Sequence, residues 1–242
     1  MQPGRINGNS TAMAEWNNLI MRHKSMDRGV ILVGYLDAGE GVGIRYIKWP
    51  LLFIVFLFAG GLYIFIFHTY NPGKMQAITN DQSLSRQERF VSAAESLRGV
   101  LYDYARGHLV KYGLLVCTDV PRLCYPAAGI NLERLMAADY RLHPEHYPGL
   151  PGNDPGSPYF SRRVQNIYAF FKDTNRLVGN CSTPKPGDTV FYGQAHVTMV
   201  VKVYPDHTYD EIEAAPGIVF TAIHRHKPWA PRDVGRFKRL AL

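Results

Sequence analysis

Two periodicities and one uninterrupted apolar block organise the chain. The block is LLFIVFLFAGGLYIFIF, Leu51 to Phe67, without a single charge. Further on, Phe90, Ala93, Ala94, Leu97, Leu101 and Tyr104 recur at helical spacing, and Ser83 stands where an N-cap belongs, predicting a long amphipathic helix. A second helix is predicted to open at Cys117, with Pro121 tolerated near its first turn, Pro126 shortening or kinking it, and Gly129 ending it. Asn131 caps a third, LERLMAADY, which puts Leu132, Leu135 and Met136 on one face. The run from His143 to Pro158 is dense in proline and glycine and reads as a loop. Ser161 begins a fourth helix carrying Val164, Ile167, Tyr168 and Phe171. After Pro186 the pattern changes to alternation: DTVFY, HVTMVVKVY, TYDEIEA, IVFTAIH and a terminal GRFKRLAL read as strands. Helices first and antiparallel strands afterwards describe an α+β domain.

The apolar block spans about 25 Å as a helix, and Trp49, Pro50 and His68 extend it toward the thickness of a hydrocarbon core. A single transmembrane helix over 49–69 is expected. A cleaved signal peptide fits poorly, since nearly fifty residues precede the block and no small-x-small site follows it. Arg22, Lys24, Arg28, Arg45 and Lys48 lie before the helix and only Lys74 follows closely, so the positive-inside rule keeps the N-terminus cytoplasmic. The expected organisation is a cytoplasmic segment 1–48, the anchor, a linker 70–82, and an exported domain 83–242. Within the first segment, MAEWNNLIMRH suggests a short amphipathic helix in a weakly ordered tail.

Composition narrows the partners. With 242 residues, 46% hydrophobic, the chain can bury a sizeable core. A net charge of +7 suits nucleic acid, anionic lipid or an acidic wall polymer alike. No zinc-finger spacing, glycine-rich phosphate loop or basic recognition helix is present, which argues against nucleic acid.

Chemistry enters at GLLVCTDVP, residues 113–121, which places a cysteine after an apolar run. Alone it is equally a packed thiol, half of a disulfide or a nucleophile. Together with AAGINLERLMAADY, SRRVQNIYAFF and KPGDTVFYGQAHVTMVV, in that order, VCTDV resembles a bacterial domain-of-unknown-function family, number 1287, usually grouped with NlpC-type cell-wall peptidases of papain-like fold. The likeness covers most of the exported domain. It implies Cys117 as nucleophile and His196 as base. It also implies a polar residue on the next strand that orients the imidazole, for which Glu213 in EIEA is the candidate, a carboxylate where His, Asn or Gln is commoner. A thiolate is the reactive form of cysteine, and a helix N-terminus and an imidazolium both favour it. In either plausible hairpin register Glu213 shares a face with His196.

Asp119 is either a charge favouring a helix start or a site residue. Arg162 and Arg163 at the start of the fourth helix oppose its dipole and call for an anionic partner, a substrate carboxylate or an acid within the protein, unless they form a solvated pair. Tyr112 and Tyr192 are candidate walls of the cleft. With Cys117 free, Cys124 and Cys181 either pair or pack, and His224 and His226 read as a surface strand rather than zinc ligands.

The resemblance implies a membrane-anchored cysteine hydrolase cutting amide bonds of peptidoglycan, held in the bacterial inner membrane by one helix, its domain periplasmic, with no cofactor or metal. Two alternatives keep the fold: a non-catalytic wall-binding or scaffolding module, and a wall-degrading toxin or lysis factor.

Overall fold

The computed structural model describes residues 45–240. The amphipathic segment expected near the N-terminus lies outside them. The apolar block forms α1, Arg45–Phe67, whose 23 residues give a helix of about 34 Å. It is long and apolar enough to cross a membrane, and its side chains from Leu51 to Phe67 are all exposed.

The stretch expected as a linker folds instead. Asn71 accepts a hydrogen bond from the Lys74 amide and caps α2, Pro72–Asn80, with proline at the first helical position, where its missing N–H costs nothing. The next helix, α3 (Arg86–Leu97), starts two residues later than the Ser83 cap predicts. Ser85 caps it, its hydroxyl accepting from the Glu88 amide while the Glu88 carboxylate accepts from the Ser85 amide. It also ends early, so Leu101 and Tyr104 leave the helical pattern, and the Leu101 amide donates to the His68 carbonyl just after α1. Next come α4 (Asp119–Ala127), α5 (Leu132–Leu142, capped by Asn131 as its sequence predicts) and α6 (Val164–Asp173). Ser161 does not begin α6; it lies in a single 3-10 turn, Phe160–Arg162, and Arg163 occupies the N-cap position.

Six strands follow: β1 Leu177–Cys181, β2 Thr189–Tyr192, β3 His196–Val203, β4 Thr208–Glu213, β5 Ala222–Pro228 and β6 Arg232–Gly235. They form one antiparallel sheet in the order β1-β6-β2-β3-β4-β5. The domain is therefore α+β, with β3 near the middle of its sheet. Its first strand, LVGNC, escapes the alternation signal because Gly179 and Asn180 are exposed and only Cys181 is buried.

One face of the sheet carries the main core. Val197, Met199, Val201 and Ile212 bury against Phe90, Leu97, Val120, Ile167 and Phe171 from the helices. Each such side chain stabilises the fold by about 1.5–3 kcal/mol relative to exposure. Tyr125 of α4 stands at the centre, fully buried, its hydroxyl donating to the Gly187 carbonyl and bonded to Thr189 Oγ1, both at 2.8 Å. The opposite face, expected to be the less apolar, is closed too: Val190, Val200, Tyr209 and Val234 are buried there, with Trp229 packed against them. Glu211 is buried among the hydroxyls of Tyr192, Thr198 and Tyr209 and the ammonium of Lys227, so its charge is met from several sides.

Gly235 shows how tightly the sheet meets α6: a Cβ there would sit 2.5 Å from the Phe171 ring. Phe171 is fully buried among Tyr125, Phe170, Phe191 and Phe237 and has nowhere to withdraw. Gly235→Ala is expected to lower the unfolding free energy by about 1–3 kcal/mol, read as a fall in the urea midpoint with an unchanged slope.

Candidate active site

The loop ahead of α4 presents Cys117. The helix itself begins at Asp119 with Thr118 as N-cap, so the cysteine sits just before the first turn rather than within it. Leu115 is buried and bridges to Tyr102, and the Leu115 and Leu101 main chains are hydrogen-bonded, which pins the approach to the sulfur. Cys117 itself is half-buried. Among the hydrogen bonds of the described residues, the amides of Cys117 and Thr118 donate to no protein group, whereas the Val116 amide is taken by Asp119. Two free N–H groups beside a nucleophile are what an oxyanion hole needs.

Position 119 holds this loop. Asp119 is fully buried and accepts from the Val116 amide at 2.9 Å, from Arg122 Nε at 2.9 Å, and from Arg162 through Nε and Nη2, both at 2.9 Å. The Arg162 fork is thus bidentate, and its third nitrogen donates to the Gly107 carbonyl. Of the partners open for Arg162, it has the internal one, Asp119. Arg163 donates to Asn153 Oδ1 and the Pro151 carbonyl. Both arginines nevertheless border a pocket of about 330 Å³ lined also by Arg106, Gly107, His108, Val116 and Tyr159, next in sequence to the cysteine. Tyr112 is not in that lining; it is exposed, with the Lys111 ammonium 4.9 Å above its ring. Tyr192 does come close to the site, its ring centroid 5.8 Å from that of His196.

His196 opens β3 directly opposite Tyr192 across the β2–β3 hairpin. Pairing of Met199 with Ile212 sets Glu213 of β4 diagonally from it, and His196 Nε2 lies 3.0 Å from Glu213 Oε1. Burial works against a charged ring, but hydrogen bonding and charge from Cys117 and Glu213 outweigh it and raise the His196 pKa to about 9. The structure thus brings together the sulfur, the imidazole and the carboxylate. The Glu213 carboxyl is in turn held below its ordinary value, chiefly by the His196 hydrogen bond, against opposing burial and with help from the charges of His196, His224 and Lys227.

The sequence places His224 on a surface strand and gives it no part in the site. Its Nε2 is 3.0 Å from Glu213 Oε2, within ion-pair distance but out of line for a hydrogen bond, so that atom remains unsatisfied. Strand alternation offers the only signal: β5 pairs with β4 so that His224 faces Glu211 and Ala222 faces Glu213. That pairing is invisible until the partner of β5 is known.

A histidine with a raised pKa stabilises the fold fully below its unfolded value of about 6.5 and loses that contribution as pH climbs through about 9. The melting temperature is expected to fall across this window. Glu213→Gln, which removes one source of the shift, is expected to flatten the fall, as a comparison of melting curves from pH 6 to pH 10 will show.

The other cysteines are remote from this chemistry. Cys124 is fully buried in the main core, where burial pushes its thiol up, and Cys181 is buried on the opposite sheet face. All three cysteines are free, so Cys124 and Cys181 pack rather than pair. Among the described residues, metal-ligand geometry occurs at His143, Glu145 and His146, all exposed after α5 and no part of the Cys117 site.

Residues 99–215 match the model of a family described as "Domain of unknown function (DUF1287)". No curated protein and no solved structure matches the chain.

Proposed function

Because residues 99–215 belong to the DUF1287 family, whose description assigns no activity, the chemistry has to be argued from the site, and we propose that the protein is a membrane-anchored cysteine hydrolase of papain-like design that cleaves amide bonds of peptidoglycan. One observation carries the reading: the His196 ring is bonded to the Glu213 carboxylate, and interaction with both that carboxylate and the Cys117 sulfur raises its pKa. This is the order of nucleophile, base and orienting group used in acyl transfer.

The thiolate of Cys117 attacks the carbonyl carbon, and the carbonyl oxygen takes up negative charge facing the free amides of Cys117 and Thr118. His196 gives its proton to the departing amine, whose C–N bond breaks, leaving a thioester. The now neutral ring takes a proton from water, the hydroxide adds to the thioester, and the carboxylic acid and thiol are released. Glu213 fixes the ring through Nε2, which leaves Nδ1 for the sulfur side.

Peptidoglycan as substrate rests on three supports: the resemblance of the motifs to wall peptidases, the net charge of +7, which suits an anionic polymer, and a helix able to hold the domain at a membrane. Export of the domain rests on the basic residues ahead of the anchor. The test is incubation of the detergent-solubilised full chain with purified sacculi. Soluble muropeptides are expected, and prior alkylation with iodoacetamide is expected to stop their release, since Cys124 and Cys181 are 0% and 3% exposed and the reagent reports on Cys117. Sacculi left intact by the untreated protein would overturn the wall assignment.

A further inference from the structure

The apolar surface of the folded domain is concentrated where the anchor enters it. Among the described residues beyond Phe67, seven large hydrophobic side chains are exposed, and four of them, Tyr104 at 59%, Tyr112 at 49%, Val219 at 52% and Phe220 at 38%, lie on segments bonded to or stacked on the residues that follow α1 or their immediate neighbours. The connection is direct. His68 Nδ1 is 2.8 Å from the Gly99 carbonyl, the Leu101 amide donates to the His68 carbonyl, and the His68 and Phe220 ring centroids are 4.8 Å apart. The Tyr70 amide donates to the Gly113 carbonyl, beside Tyr112. The patch is tied together by the Tyr102 amide donating to the Val219 carbonyl and by the Tyr104 hydroxyl donating to the Pro216 carbonyl. Gly113 admits the approach because it takes φ +82° and a Cβ would meet the Tyr70 amide nitrogen at 3.0 Å.

Four such side chains beside a lipid-length helix form one surface with it. Tyrosines with exposed rings are the residues enriched at membrane–water boundaries, and contiguous exposed apolar area marks an interaction site. Exposed Lys74, Arg106 and Lys111 on adjoining segments supply positive charge for lipid phosphates. Resting on the anchor reading above, we infer that Tyr104, Tyr112, Val219 and Phe220 dock the domain on the surface of the bilayer that α1 spans. Cys117 is four positions beyond Gly113, so the nucleophile stands within about 14 Å of the main chain that is bonded to Tyr70. The site then works beside the headgroups, and the amides within its reach are those presented at the membrane face rather than deep in the wall.

The experiment uses the full chain in vesicles of phosphatidylethanolamine and phosphatidylglycerol, in a Cys117→Ala background, where the two remaining cysteines are buried. A nitroxide is attached in turn to Val219→Cys, to Phe58→Cys in the anchor and to Leu142→Cys, exposed at the end of α5. Its collision rates with oxygen and with a water-soluble nickel chelate are then compared. Docking predicts an oxygen-to-chelate ratio at 219 several-fold above that at 142 and approaching that at 58. A ratio at 219 equal to that at 142, with 58 still favouring oxygen, overturns the docking and leaves the anchor standing. Chelate access at 58 overturns the anchor, and the docking with it.

Discussion

Cys117→Ala is expected to reduce muropeptide release by on the order of a million-fold, to the level left by binding and the oxyanion amides alone, because loss of a covalent nucleophile forfeits the whole acyl-transfer route. The melting temperature should hardly move: the residue is half-buried, and removing one sulfur exposes little apolar area. That contrast separates a chemical role from a packing role. His196→Ala should approach the same activity floor, since a thiolate without its proton carrier can neither form readily nor expel an amine. Glu213→Gln should cost much less, because an amide oxygen can still accept from the ring while the charge that favours the imidazolium is gone. Undiminished release by the Cys117 variant would end the hydrolase reading, whatever the other two variants do.

The largest stability effect is expected at a neighbouring position that performs no chemistry in this mechanism. Asp119 is fully buried between Arg122 and Arg162, whose side chains are 19% and 7% exposed, and it also accepts the Val116 amide. Asp119→Ala would leave the Arg162 guanidinium nearly buried with the Gly107 carbonyl as its remaining partner. Removing one member of a buried ion pair typically costs about 3–5 kcal/mol. For a domain of this size, at about 2–4 °C per kcal/mol, the melting temperature should drop by about 6–20 °C. Activity should fall as well, since Val116 precedes the nucleophile and its amide would lose its acceptor. Arg162→Lys is the informative companion: it keeps the charge but loses the two-pronged contact, so an intermediate drop is expected. A melting temperature unchanged by Asp119→Ala would mean that the cluster does not hold the loop.

Much of this protein is legible before any coordinates. A helix long and apolar enough to span a membrane announces itself in seventeen consecutive uncharged residues, which have few other stable homes. The Asn131 cap and the β2, β3 and β4 runs are readable because capping and strand alternation are local rules, decided within a few residues. Glu213 could be set near His196 from the chain alone, since a hairpin's register follows from its turn and parity leaves the two residues on one face.

Other features needed the tertiary structure. The segment 70–82 looks like a linker by composition, yet it folds as α2 because Met75 finds a place in the core that no local rule supplies. The first long amphipathic run is cut at Leu97 because Leu101 and Tyr102 are taken by pairing with Phe220 and Leu115, residues far along the chain. The purely local pattern cannot register that competition.

By itself the sequence determined the kinds of groups this protein can use: an apolar span, an α+β order, and a cysteine and histidine in the contexts where such residues react. Only the tertiary structure decided how those groups are spent. It committed the fork of Arg162 to Asp119, set His224 beside Glu213, closed both sheet faces and laid Phe220 against His68 at the end of α1. The physical reason is range. Propensity, capping and periodicity act over a few residues, whereas ion pairing, strand neighbours and burial are settled between residues tens of positions apart, and nothing in either partner's own neighbourhood names the other.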